Sequence, residues 1–176
     1  MRLTDTALAA CLSLTLCAGC SGIEHAPAVK ASCADKWVVL PMENLTEGPH
    51  VAQAAEKLAE NVLRSQGMSD VASYPSGLAD SLAEFGSAPQ KYAKALEWAR
   101  GEEAHYGITG AVTEWRYKSG VEGEPVVGMT LQVIDIETGK GIGSAGGSKT
   151  GWDREAVTGV AQKLIRKLLG ATLPGC

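Results

Sequence analysis

The chain has no apolar run long enough to span a bilayer, no excess of basic side chains, and none of the short motifs that mark common catalytic or metal sites. Each gap excludes something. Without about 20 consecutive apolar residues there is no transmembrane helix to place. Lys and Arg number 16 against 20 Asp and Glu, a net charge of −4, which is not the footprint of a nucleic-acid binder. There is no GxSxG elbow, no HExxH helix and no P-loop. The five cysteines show no CxxC or Cys/His spacing of a metal site. Gly141-x-Gly143-x-x-Gly146 has the letters of a dinucleotide-binding turn, but it falls inside a predicted strand and no acid follows about 20 residues on. A bulged or closely approached strand is the better reading of those glycines. His25 sits in a polar N-terminal stretch, while His50 and His105 stand far apart, each beside a helix end, where solvation or core packing accounts for them. Glu122/Glu124 and Asp135/Glu137 are carboxylate pairs close to turns and read as solvated surface. The expectation is a protein that is not an enzyme and needs no cofactor or metal.

What is present begins at the N-terminus. "TALAACLSLTLCAG", 6–19, is apolar over about a dozen residues, the length of a secretory h-region. Leu16-Cys17-Ala18-Gly19-Cys20 resembles a bacterial lipobox, in which small residues before a cysteine admit a signal peptidase and the thiol receives diacylglycerol. Cys17 stands where the motif usually has Leu. Residues 1–19 are then a signal peptide and Cys20 is the lipidated first residue of the mature chain; the alternative is ordinary cleavage nearby, leaving Cys20 a free thiol. One acyl chain binds a membrane only marginally, whereas the several chains of a bacterial lipoprotein hold it stably. Ser21, rather than Asp, resembles lipoproteins sent on to the outer membrane.

Removing 1–19 leaves 157 residues, enough for one domain with a real core. Arg2 and Asp5 leave with the signal, so 15 basic and 19 acidic side chains remain. They are unevenly spread: residues 20–115 hold 13 acids and 7 bases, residues 116–176 hold 6 and 8. An acidic half favours cationic partners through its summed field. Of the cysteines, Cys33 and Cys176 remain for the oxidising compartment, either as a disulfide joining the two tails to the body or as two exposed thiols. Residues 20–35 read as a lipidated N-terminus with a flexible tether, and 36–176 as a single domain.

Within that domain "KWVVLP", 36–41, reads as a buried strand ended by Pro41. "PHVAQAAEKLAENVLRSQG" places Val51, Ala55, Leu58 and Val62 on one helical face. A short strand is predicted within "MSDVASYP", then a helical turn carrying Leu78, Leu82 and Phe85, then a helix through Tyr92, Leu96 and Ala99. "YGITGAVTEWRYKS", "PVVGMTLQVIDIE" and a glycine-rich strand near 141–148 form an antiparallel meander. In the second of these, Val127, Met129, Leu131 and Val133 alternate with Gly128, Thr130 and Gln132. The last helix carries Val157, Ala161, Leu164 and Leu168 as a stripe, with Asp153 read as its N-cap. The fold class is α/β, with amphipathic helices on a mixed, largely antiparallel sheet.

Trp152, in "SKTGWDREAV", belongs to no periodic stripe. It is either a lid on the core or an amphipathic ring pointing outward at headgroup level. Together "ITGAVTEWRYKSGVEGEPVVGMTLQVIDIETGK", "SKTGWDREAV" and "VAQKLIRKLL" resemble the PelC family, outer-membrane lipoproteins of the Pel exopolysaccharide export system. The likeness runs from "VVLPMEN" to the last helix. It implies a dodecameric ring on the periplasmic face of the outer membrane, with the aromatic residue at Trp152 contacting lipid. It also implies an acidic lumen that draws a cationic amino-sugar polysaccharide toward the outer-membrane porin PelB. Glu122 and Glu124 are the candidate polymer-facing acids, since their turn is polar. More distantly, "VLPMEN" with an α/β body is similar to TolB N-terminal domains, curli-type secretion lipoproteins and LpoB-like activators of envelope enzymes. That second likeness implies an adaptor role instead.

Overall fold

The computed structural model describes residues 22–75, 88–120, 123–152 and 154–173. Among them are seven strands and three helices: β1 (Ile23–His25), β2 (Trp37–Val39), β3 (Glu43–Asn44), α1 (Val51–Ser65), β4 (Val71–Ser73), α2 (Ala88–Gly101), β5 (Tyr106–Tyr117), β6 (Pro125–Asp135), β7 (Lys140–Thr150) and α3 (Val157–Thr172). The strands form one sheet in the order β1-β7-β6-β5-β2-β4, with β3 pairing β5 beyond the end of β2. The long ladders β5–β6, β6–β7 and the short β1–β7 are antiparallel, while β2 runs parallel to β4 and β5. The expected α/β class and meander are therefore what the chain adopts. The helical turn expected around Leu78, Leu82 and Phe85 lies outside the described residues.

The burial pattern explains each element. In β6 the side chains of Val127, Met129, Leu131 and Val133 are buried while Thr130 and Gln132 are exposed, as a strand with one covered face requires. β2 is buried on both faces: Trp37 and Val39 join the main core, Val38 and Leu40 a second one. The main core lies between the sheet and α1 with α3, whose Val160, Ala161, Leu164, Ile165, Leu168 and Leu169 are all buried. On α1 the buried face centres on Ala55, Ala59, Val62 and Leu63, so Leu58, expected within it, sits at its edge. The second core is smaller. There α2 sets Ala95 and Ala99 against Val38, Leu40, Ile134 and Ile136. Among the described residues no helix covers the rest of that face, around Thr130, Gln132 and Ser144, which forms an open groove of about 720 Å³.

Two expectations are corrected. Residues 22–35 are not a free tether: β1 pairs with β7, the Ala26 amide donates to Ser144 O at 2.8 Å, and the Val29 amide donates to Thr172 O at 2.9 Å. Further on, the Trp37 indole donates to Ser32 O at 3.2 Å. The glycines of β7 make this possible, because a Cβ at Gly143 would occupy the space of the Val29 side chain. The N-cap of α3 is also displaced, from Asp153 to Ala156, which has no side-chain cap bond. Asp153 itself lies outside the described residues.

Candidate functional site: the rim around Trp152

β5 ends, β6 begins and β7 ends at one rim of the sheet, where Tyr117 pairs with Pro125 and the Gly151 amide donates to Pro125 O at 2.8 Å. Trp152 follows directly and is 83% exposed, which removes the core-lid alternative. Trp37, in contrast, is fully buried. The turn holding Trp152 is built around Glu155. The Trp152 amide donates to the Glu155 carboxylate at 3.3 Å, the Glu155 amide donates back to Trp152 O at 3.1 Å, and Lys163 reaches the same carboxylate at 2.6 Å. The Lys163 hydrogen bond, aided by the Trp152 amide and the charges of Lys163 and Lys149, outweighs desolvation and holds the Glu155 carboxyl below its ordinary range. Gly151 is needed here: an added Cβ would stand 2.9 Å from Pro125 Cγ and 2.8 Å from a Glu155 oxygen.

A second aromatic shares the rim. A bulge between Val112 and Glu114 shifts the alternation of β5, so Trp115 and Tyr117 fall on the side of α3. Tyr117 is 52% exposed, and its hydroxyl accepts the Val157 amide at 3.3 Å. Sequence alternation without the bulge does not place it there. The acids of this rim are paired: Glu114 with Arg116 at 2.7 Å, Glu124 with Lys118 at 3.2 Å, and Glu155 with Lys163. Glu124, one of the two candidate polymer-facing acids, is paired with Lys118; Glu122 lies outside the described residues.

Free acid gathers instead at the opposite end of the strands. Glu103, Asp135 and Glu137 surround a groove with Arg100 and His105. The Arg100 guanidinium is turned onto backbone, donating to Ile136 O at 3.1 Å. The amide and hydroxyl of Thr138 hold the Asp135 carboxyl below its ordinary range. Asp135 therefore stays charged, with Lys140 as its ladder partner on β7. Glu102 pairs with Lys36 at 3.4 Å, whereas Glu103 and Glu137 have no ion pair among the described residues. The sequence shows Glu103 and Glu137 as scattered charges, because their proximity is made by the sheet.

At this end Cys33 packs against the core and is disulfide-bonded. Cys176, its expected partner, and Cys20, the expected lipidation site, lie outside the described residues. Among the described residues no group of three metal-ligating side chains occurs, and no helix is long and apolar enough to cross a membrane.

A PelC dodecamer from Paraburkholderia phytofirmans has 38% identity to this chain, covering 87% of it and 98% of the solved chain, with a TM-score of 0.73. The chain belongs to the PelC family. A variant of the Paraburkholderia protein, also a dodecamer, superposes with a TM-score of 0.74 over the same coverage. The lipoprotein GNA1162 from Neisseria meningitidis shares 14% identity over 76% of this chain and 94% of its own, with a TM-score of 0.53, a likeness of fold. No model of a known protein family and no curated protein matches the chain.

Proposed function

We propose that this PelC-family chain is a non-catalytic lipoprotein of a Pel-type exopolysaccharide export apparatus, anchored through Cys20 to the periplasmic face of the outer membrane. Twelve or so copies form a ring whose acidic lumen guides a cationic amino-sugar polysaccharide to the porin PelB. The observation that carries this reading is the register of β1. Ile23 lies opposite Gly147, so the chain leaving β1 toward Cys20 runs beside β7 toward Trp152. Cys20 stands two positions before Gly22, a reach of roughly 7 Å. A lipid on Cys20 within that reach of Gly22 would share a surface with the exposed ring of Trp152, and this supports a body that rests against the membrane instead of standing off it.

Trp152 and Tyr117 supply amphipathic rings at the headgroup level, and the nearby cation Lys149 suits anionic headgroups. The opposite end, with Glu103, Asp135 and Glu137, then faces the periplasm. Repeated around a ring, these carboxylates sum to a field that steers a cationic polymer without holding it, over the Debye length of about 8 Å at physiological salt. Confinement to a membrane raises the effective concentration of subunits, so modest lateral contacts suffice to close the ring.

The test is export of the polymer by cells carrying Cys20→Ser, with labelled palmitate followed in parallel. Loss of label together with loss of export is expected. Export at the wild-type level by an unlabelled, freely diffusing product overturns the anchoring role.

A further inference from the structure

A closed ring of identical chains needs two different surfaces on opposite sides of each subunit, because the contact is head-to-tail. Two exposed aliphatic side chains lie on opposite edges of this sheet. Leu45, 56% exposed, follows β3 on one side, and its amide donates to Val112 O at 2.9 Å. Ile142, 40% exposed, occupies a bulge at the start of β7 on the other. Their charged neighbours have opposite sign: Glu43 and Glu47 flank Leu45, and Lys140 precedes Ile142, all of them exposed. None of the three has an ion-pair partner among the described residues. β1 covers β7 only from Ala145 to Gly147, with one further bond at Ser144 and Val29 over Gly143, so among the described residues the strand edge from Lys140 to Ile142 is left open.

We infer that the Glu43-Leu45-Glu47 corner of one copy docks on the Lys140-Ile142 edge of the next. This assignment rests on the ring reading above and specifies its lateral contact. Opposite charges around apolar centres give attraction in this pairing, whereas like corners repel, so the geometry selects head-to-tail over face-to-face association. The two patches also differ in level. Leu45 sits in the row of Val112, Met129 and Gly147, five residues along β7 from Ile142, or roughly 16 Å. Bringing both to one height in a ring tilts the strands and lifts the β1–β7 side. That is the side carrying Gly22 and Trp152, so the tilt presses the anchor and the ring of Trp152 toward the membrane.

The experiment compares native masses of the full lipidated chain in detergent for wild type, Leu45→Asp, Ile142→Asp and a mixture of the two variants. Wild type is expected to give the oligomer, each variant alone a monomer, and the mixture a one-to-one dimer. In that dimer the intact corner of the Ile142 variant meets the intact edge of the Leu45 variant and propagation stops. Variants that assemble like wild type, or a mixture of folded monomers that does not pair, overturn the assignment while leaving the ring reading in place. A monomeric wild type removes the ring reading itself, and this contact with it. Both side chains are surface-exposed, and if either variant fails to fold by circular dichroism, Glu47→Lys and Lys140→Glu take their places. Each alone is then expected to weaken assembly and the double swap to restore it; no recovery in the swap counts against the contact.

Discussion

At the scale of single residues, Trp152 and Gly151 are neighbours with opposite demands. Trp152 is exposed, so Trp152→Ala should leave stability within about 0.5 kcal/mol of wild type. Flotation with lipid vesicles should weaken, and a collapse of the thermal melt would place the ring in the core instead. Gly151 has no room for a methyl group, and Gly151→Ala should cost about 1–3 kcal/mol as Val160, Pro125 and Glu155 shift. Urea melts measure this directly. Glu155 brings a pH dependence whose sign follows from its lowered carboxyl. Its stabilisation of the Trp152 turn is present above the unfolded carboxylate value of about 4.3 and is lost as pH falls through the lower folded value. Trp fluorescence should therefore report a loosening of the turn in acid, and Glu155→Gln should be loosened already at pH 7 with that acid step absent.

Among the elements, the N-terminal segment and α3 depend on each other. The Val29 amide reaches Thr172 O, Ile23 and Val29 pack on the core, and the disulfide of Cys33 lies in the same stretch. With Cys20 lipidated, Cys176 is the remaining mature cysteine. A non-reducing digest is expected to yield one peptide joining Cys33 to Cys176, and reduction to lower stability by about 2–5 kcal/mol. A peptide joining Cys33 to Cys20 would instead contradict lipidation. The elements themselves were largely legible in sequence. Alternation gave β6, and the helical period gave α1 and α3, because one-sided burial writes itself as period in the chain. The strand β1 was not legible: three residues, two of them polar, form a strand only because the glycines of β7 let them approach. The bulge at Thr113, which turns Tyr117 to the rim, also leaves no periodic mark.

Among the described residues the two ends of the strands differ, with ion-paired acids and two exposed aromatics at one and Glu103, Asp135 and Glu137, beside Arg100 and Lys140, at the other. If the distal end steers the polymer, Glu103→Gln with Glu137→Gln should reduce retention of a glucosamine oligomer by the assembled protein. The deficit should shrink as salt rises. Glu114→Gln with Glu124→Gln, at the rim, is the matched control and should leave retention unchanged. Equal losses in both pairs would mean that net charge, and not its position, is what matters.

The sequence by itself determined the core stripes, the α/β class and the resemblance to PelC. These depend on local period, composition and short contiguous blocks, which survive in one dimension. Only the tertiary structure decided that the segment from Gly22 lies along β7, with its N-terminal end directed toward the Trp152 rim. It likewise drew Glu103 and Glu137 together and left Glu124 held by Lys118. Those relations are distances between residues far apart in the chain, and they exist only once the ladders of the sheet fix which strand lies beside which.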